Sequence, residues 1–230
     1  MNPFELEELA KNYDDFYTDS VGQMYDRLEK NAIFQLLIEI YPDISTPGFH
    51  KTMLEIGSGT GHWTEYFANL GFKVLGIEPS VPMIQIAKAK KINSATFLQE
   101  SGESFHLTQN GNLYDVLCFI TSLEFMDSPV KVIEHAFHYL KPQGHIIVGV
   151  LNNDSFLGSQ RKTEGNPYRE AHFFVEKELN EIFRRWGEIK MIQCAFPNPN
   201  QWEQADEIER KQQSMNAKTG NFIACRVDFS

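Results

Sequence analysis

Positive charge is scarce in this chain. Its 230 residues carry 21 lysines and arginines against 31 aspartates and glutamates, a formal net charge of -10. Nucleic-acid binding works by neutralising phosphates and needs a basic face. No basic run is present, so nucleic acid is not an expected partner. Cysteine is also rare. Cys118, Cys194 and Cys225 are far apart and form no Cys-x-x-Cys pair. That argues against a disulfide scaffold or a zinc site and for reduced, buried thiols in a cytoplasmic protein with no bound metal. Long apolar runs are missing too. "VLCFI", Val116 to Ile120, is far short of the ~20 residues of a membrane span. The N-terminus, "MNPFELEELAKNYDDFY", is acidic and lacks the apolar core of a signal peptide. What remains is 42% hydrophobic, ample for one packed domain that acts on a small molecule or a protein.

The hydrophobic pattern changes character along the chain. Residues 4 to 40 read as helical, with a turn near Asp19 to Gly22 and apolar residues at helical spacing from Met24 to Ile40. "PDISTPGFHK" then breaks the chain. From Thr52, strands and helices alternate. Strands are expected at 52–56, 73–78, 95–100, 114–120 and 145–151. Helices are expected at 62–69, 81–91 and 129–140, with "KPQG" as a turn before the fifth strand. That alternation predicts an α/β fold with a mostly parallel sheet and helices on both faces. "VLCFI" and "IIVGV" are apolar without alternation, as strands covered on both sides should be. Residues 152 to 174 are polar and irregular. A helix is expected at 175–186, and two late strands, "IKMIQCAF" and "NFIACRVDF", flank a charged helical piece.

The chemistry gathers at "LEIGSGTGHW". Gly57, Gly59 and Gly61 sit where a strand turns into a helix, and Ser58 lies between the first two. Bare backbone there allows positive φ and close approach of a ligand to main-chain N–H groups. Glu55 lies just before, at the carboxyl end of the first strand. Glu78 lies 21 positions beyond Gly57, at the end of the second strand, where a carboxylate can accept both hydroxyls of a ribose. Both marks describe an adenosine-type ligand. The dinucleotide fingerprint G-x-G-x-x-G/A would place glycine or alanine at position 62, which is His62. A sulfonium donor with an amino-acid end instead needs a carboxylate near its ammonium, and Glu55 is placed for it. An NAD(P)-dependent oxidoreductase is the competing reading. His62 and the lack of a clear Tyr-x-x-x-Lys pair count against it.

Five segments in order, "LEIGSGTG", "GIEPSVPMI", "FLQESGESF", "YDVLCFITSLEFMDSP" and "LKPQGHIIVGVLN", resemble the motifs of class I S-adenosylmethionine-dependent methyltransferases. The likeness is to the small-molecule group that includes the ubiquinone/menaquinone and malonyl-carrier-protein enzymes, and it covers about Lys51 to Asn152. It implies a Rossmann-like seven-stranded sheet with the last strand antiparallel beside the fifth. It also implies S-adenosylmethionine as methyl donor, leaving as S-adenosylhomocysteine. By this resemblance Gly57, Gly59 and Gly61 line the methionine and ribose part, and Glu78 holds the ribose hydroxyls. Pro79, Ser80 and Met83 lie near the adenine or ribose edge. Ser101, Gly102 and Glu103 flank adenine, with Ser101 where the family often has aspartate. Thr121 approaches the methionine end. Gln143 replaces the first glycine of a Pro-Gly-Gly turn.

On this reading residues 1–230 form one methyltransferase domain. Residues 1–50 are a helical lid, 51–151 the cofactor-binding core, 152–174 an irregular lid segment and 175–230 a C-terminal helix and strand pair. Methyl transfer from a sulfonium can run on positioning and desolvation, so no motif dictates a catalytic residue. His172, Glu124 and Tyr168 are the candidates. Tyr13, Tyr17, Tyr25 and Asn152 are candidates to bind the acceptor. Aromatics in both lid regions suggest an apolar or aromatic small-molecule acceptor. Arg161, Lys162 and Arg169 read as solvated loop charges. A protein that binds the donor without turnover is the remaining alternative. The sequence sets no oligomeric state.

Overall fold

The computed structural model describes residues 3–107 and 113–229. The first helix, α1 (Glu7–Asn12), and the long α2 (Ser20–Ile40) precede the sheet. The break between them falls before Asp19. That residue caps α2, its side chain accepting the Gly22 N–H at 2.7 Å. Alternation then follows as β1 (Lys51–Ile56), α3 (His62–Asn69), β2 (Phe72–Ile77), α4 (Val81–Ala89), β3 (Ala95–Leu98), β4 (Tyr114–Ile120), α5 (Pro129–Phe137) and β5 (Leu140–Leu151). The remainder is α6 (Phe156–Gln160), α7 (Glu176–Phe183), β6 (Gly187–Cys194), α8 (Ala205–Ser214) and β7 (Phe222–Phe229).

The sheet order is β3-β2-β1-β4-β5-β7-β6. β1 to β5 are mutually parallel, and β7 runs antiparallel between β5 and β6. The order reverses between β1 and β4. Their carboxyl ends therefore flank the crevice where open α/β sheets take ligands.

Successive strand residues feed opposite layers. Val116, Cys118 and Ile120 pack with Leu36, Phe67 and Phe72 on one face. Leu117 and Phe119 pack with Val132, Ile133, Leu179 and Phe183 on the other. Both faces are covered, so the period of two is invisible in a sequence that is apolar throughout. All three cysteine thiols are buried and free.

"KPQG" is not a turn ahead of β5 but an irregularity inside it. Tyr114 pairs with Leu140 and Val116 with His145, so the strand carries extra residues there. Gln143 takes φ 64°, a left-handed backbone that glycine adopts more cheaply.

Arg226 on β7 fastens α2 to the sheet. It is buried and donates to the Leu36 carbonyl at 2.9 Å, to Glu39 at 2.8 Å and to Asp228 at 2.8 Å. The carboxylates are partly exposed, which tempers their worth. Arg226→Ala should cost about 1 to 2 kcal/mol, because it removes the charged donor that ties the Leu36 carbonyl, Glu39 and Asp228 together, although Glu39 keeps Lys190 and Asp228 keeps His145. Urea unfolding checks this; a midpoint equal to wild type would refute the anchoring role.

Candidate functional site

The loop after β1 turns on three positive-φ glycines, at 81°, 54° and 79° for Gly57, Gly59 and Gly61. Each has a different reason to lack a side chain. A Cβ on Gly57 would lie 2.4 Å from that of Ser122, so the loop could not seat against the end of β4. Gly61 starts α3 and is packed against Ile92, Phe97 and Ala87. Gly59 faces open space, which leaves its backbone approachable.

Glu78 ties this loop to the end of β2. One carboxylate oxygen accepts the Gly59 N–H and the other the Ser80 N–H, each at 2.8 Å. Burial raises its pKa, and these two N–H groups offset part of the rise. Glu55 is 2% exposed and accepts a hydrogen bond from the Thr64 hydroxyl. Its pKa is pushed up to about 8 by burial, against the Thr64 bond and with help from the Glu78 charge.

These groups open on a cavity of about 350 Å³, within the range of small-molecule sites. From β1 and the loop after it the cavity takes Glu55, Gly57, Ser58 and Gly59, and from the end of β2 and the start of α4, Glu78, Pro79 and Met83. Ser101, Gly102 and Glu103 line it after β3, and Thr121 after β4. Two residues expected there do not line it. Gly61 is enclosed beneath α3. Ser80 is buried as the cap of α4, its hydroxyl donating to the Phe4 carbonyl at 2.8 Å. Buried Ser58 and Ser122 hydroxyls have no hydrogen-bond partner among the described residues. Phe4, His62, Trp63, Phe125 and Asp127 also line the cavity and were not among the expected ligand residues.

The N-terminal segment closes over this edge. Asp14 accepts from the Thr60 hydroxyl at 2.6 Å and pairs with Lys90 at 2.7 Å. Phe4 packs edge-on to Tyr13, Phe125 and Tyr168. Tyr17 stacks on His62 with ring centroids 3.6 Å apart. Asp26 lies between His62 at 2.6 Å and Lys30 at 2.7 Å. Burial would raise the Asp26 pKa, but hydrogen bonds from His62 and Lys30 outweigh it and hold the carboxyl low.

A second cavity, of about 370 Å³, lies under the same segment. Tyr13, Tyr17, Tyr25 and Tyr168 line it, with Glu29. Phe4, Tyr13 and Thr121 line both cavities, so the two meet there. Thr121 holds φ 46° while its N–H donates to the Gly149 carbonyl at 2.7 Å. A β-branched residue in that region is strained, and such strain gathers at functional junctions.

Glu29 is absent from the residues expected at the site. Its signal was present, for it falls four residues after Tyr25 and seven before Leu36, on the buried stripe of α2. Burial first, then the charges of Asp26 and Glu124, lift its pKa to about 8 against the pull of Lys30.

Besides Gly61 and Ser80, three expected residues reach neither cavity. The His172 side chain is 56% exposed and pairs with Glu178 at 2.7 Å on the surface; only its backbone N–H turns inward, to the Glu124 carbonyl. Asn152 is consumed by structure. Its amide donates to the Gly220 carbonyl at 2.8 Å, and its oxygen accepts from Asp154 N–H. Glu124 is 3% exposed and accepts from the Leu151 N–H at 2.8 Å through one oxygen. Its other oxygen has no partner among the described residues, and burial raises its pKa to about 8. Arg161 donates to the Ala171 carbonyl at 2.8 Å, and Arg169 pairs with Glu170; neither lines a cavity. Among the described residues no cluster of three His, Cys, Asp or Glu side chains could hold a metal ion, and no helix is long and apolar enough to cross a membrane.

A sheet reversing at β1 and β4, with a glycine turn between two strand-ending carboxylates, defines a nucleoside-binding enzyme of the Rossmann-like class. The methyltransferase domain family model matches residues 23–187. The chain belongs to the S-adenosylmethionine-dependent methyltransferases, and S-adenosylmethionine is its cofactor. Uncharacterized protein MJ1123 of Methanocaldococcus jannaschii is 31% identical over 180 residues, covering 76% of this chain and 80% of its own. The ubiquinone biosynthesis O-methyltransferase of Serratia proteamaculans is 31% identical over 110 residues. That match spans 46% of this chain and under half, 45%, of the relative. A solved structure from Thermotoga maritima, described as a possible histamine N-methyltransferase, shares the fold with a TM-score of 0.72. It is 24% identical, over 98% of this chain and 97% of its own.

Raised carboxyl pKa values make stability depend on pH. A group whose folded pKa is about 8, against ~4.3 unfolded, contributes fully below pH ~4. That contribution is lost as pH rises through 8. Urea midpoints of the ligand-free protein should therefore fall from pH 6 to pH 9. Glu124→Gln, which keeps an oxygen for the Leu151 N–H, should fall less. Parallel slopes for the two proteins would contradict the burial argument.

Proposed function

We propose that the chain moves the methyl group of S-adenosylmethionine to a small-molecule acceptor held in the tyrosine-lined cavity. The observation that carries this reading is the junction at Phe4, Tyr13 and Thr121, where a nucleoside-sized cavity and an aromatic one meet. Residues 3–17 act as a lid over both. The fit to the cofactor is supported by the open face of Gly59 and by the carboxylates of Glu55 and Glu78, with the unpartnered Ser58 and Ser122 hydroxyls nearby. In this account Glu78 accepts the ribose hydroxyls, since a carboxylate has lone pairs beyond the two its backbone N–H donors use. Glu55, steadied by Thr64, faces the ammonium. Ser101 to Glu103 border adenine, beside Met83 and Pro79.

Bound there, the cofactor would supply a methyl group on a sulfonium, whose sulfur is a good leaving group. The protein's work is then positioning. The strained Thr121 backbone and the rings of Phe4 and Tyr13 set the angle at which an acceptor meets the donor cavity. Phe4, Phe125 and Tyr168 keep water from the junction. Tyr13 is a poor base, its pKa pushed up to about 12 by burial. The named activities of the relatives differ in acceptor, and the wall of the second cavity is where that choice is made.

Calorimetry with S-adenosylmethionine, S-adenosylhomocysteine and NAD tests this reading. Both sulfur ligands should bind and NAD should not. Glu78→Ala should weaken them roughly 10- to 100-fold, the worth of charged hydrogen bonds to hydroxyls. Unchanged affinity in that variant refutes the ribose role, and no binding of either sulfur ligand at millimolar concentration refutes the proposal.

A further inference from the structure

We infer that the acceptor is an amine carrying an apolar or aromatic body, and that Glu29 binds its nitrogen. This rests on the methyltransferase reading above and names the substrate class of the same site.

Glu29 is the one formally charged residue among the described residues that line the second cavity. No lysine, arginine or histidine lines it among the described residues, so a carboxylate or phosphate acceptor would find no counter-charge there. Lys30, the cation that acts on Glu29, is turned to Asp26 at 2.7 Å, and Arg161, over the Phe173 ring, donates to the Ala171 carbonyl at 2.8 Å. The groups that face Glu29 electrostatically are Asp26 and Lys30 from its own helix, and Glu124 from the turn after β4. Tyr13, Tyr17, Tyr25 and Tyr168 line the same space. Two of these neighbours are carboxyls and one is a committed lysine. The aromatic rings add negative faces that attract an ammonium.

A phenolic acceptor is disfavoured by the protein's own phenols. Tyr13 is pushed up to about 12, and Tyr17 and Tyr168 well above the ordinary value, by burial and by the charges around them. A bound phenol would enter the same field and hold its proton against Glu29. An ammonium would be drawn in by that field. Once there it has in Glu29 a proton acceptor whose pKa, about 8, lies far closer to that of an amine than an ordinary carboxylate's does.

The ammonium passes a proton to the Glu29 carboxylate and becomes a neutral amine. Its lone pair forms the N–C bond to the methyl carbon while the C–S bond breaks, and that electron pair goes to sulfur. A sulfonium is lost and a methylammonium gained, so charge is conserved.

The test uses the full chain saturated with S-adenosylhomocysteine, titrated calorimetrically with 2-phenylethylamine, 4-ethylphenol and phenylacetate. The same three are then offered with S-adenosylmethionine and read by mass spectrometry. The amine should bind at least 10-fold more tightly than the other two and gain one methyl on nitrogen. Glu29→Gln should lose roughly 10- to 100-fold in amine affinity, the worth of one charge-assisted contact, with S-adenosylhomocysteine affinity unchanged. That unchanged affinity also reports folding; if the variant fails it, the wild-type ranking of amine over phenol decides. Equal or better binding of the phenol or acid, no amine binding at millimolar concentration, or a folded Glu29→Gln that keeps its amine affinity would overturn the inference. In each of those cases S-adenosylhomocysteine binding keeps the methyltransferase reading intact. Its failure would overturn both.

Discussion

Carboxyl groups held out of water govern the carboxyl edge of this sheet. Glu55 and Glu78 end β1 and β2 inside the protein, and Glu124 and Glu29 lie behind the adjoining cavity. Burying a carboxylate costs several kcal/mol unless it is neutralised or paired. The lysines of the surrounding segments are engaged elsewhere. Lys30 serves Asp26, and Lys90 serves Asp14. The carboxylates are satisfied instead by hydroxyl and backbone N–H donors, or carry a proton well above the usual range. That arrangement suits ligands that bring positive charge with them.

The fold makes the arrangement possible. Strand order reverses between β1 and β4, so two loops part and leave a crevice with no connection crossing it. The glycine loop fills one wall, and Gly57 lets it rest on Ser122 at the start of the other. α2 is fixed to β7 by Arg226, which brings Glu29 over the far side of the crevice. The N-terminal turn then lies across both walls, held by Asp14 and by the Ser80–Phe4 bond. Thr121 sits where these parts converge, in a backbone conformation that a threonine adopts only under constraint.

Much of the first cavity was legible because its parts are local. A strand, a glycine turn and a helix carry their own signals within about ten residues, and Glu78 ends the next strand. The parts that were not legible depend on distant contacts. Phe4 reaches the cavity across more than seventy residues of chain, through its bond to Ser80. Glu29 could have been found as a charge on the apolar stripe of α2, but what it faces comes from the β4 edge and the segment around Tyr168. His172 shows the converse. Its neighbours are buried and its backbone meets Glu124, yet its side chain points outward to Glu178. The bulge in β5 was hidden for another reason. A lysine-proline-glutamine-glycine run signals a turn, and whether a strand continues through it is decided by its partner, β4.

Glu55, its pKa lifted to about 8 by burial, waits largely in protonated form for a cationic ligand. Proton release on binding S-adenosylmethionine measures it directly. Calorimetric titrations at pH 7 in buffers of different ionisation enthalpy should show protons leaving the protein as the ammonium meets Glu55, and Glu55→Gln should abolish most of that release. Heats that do not vary with the buffer would contradict the account.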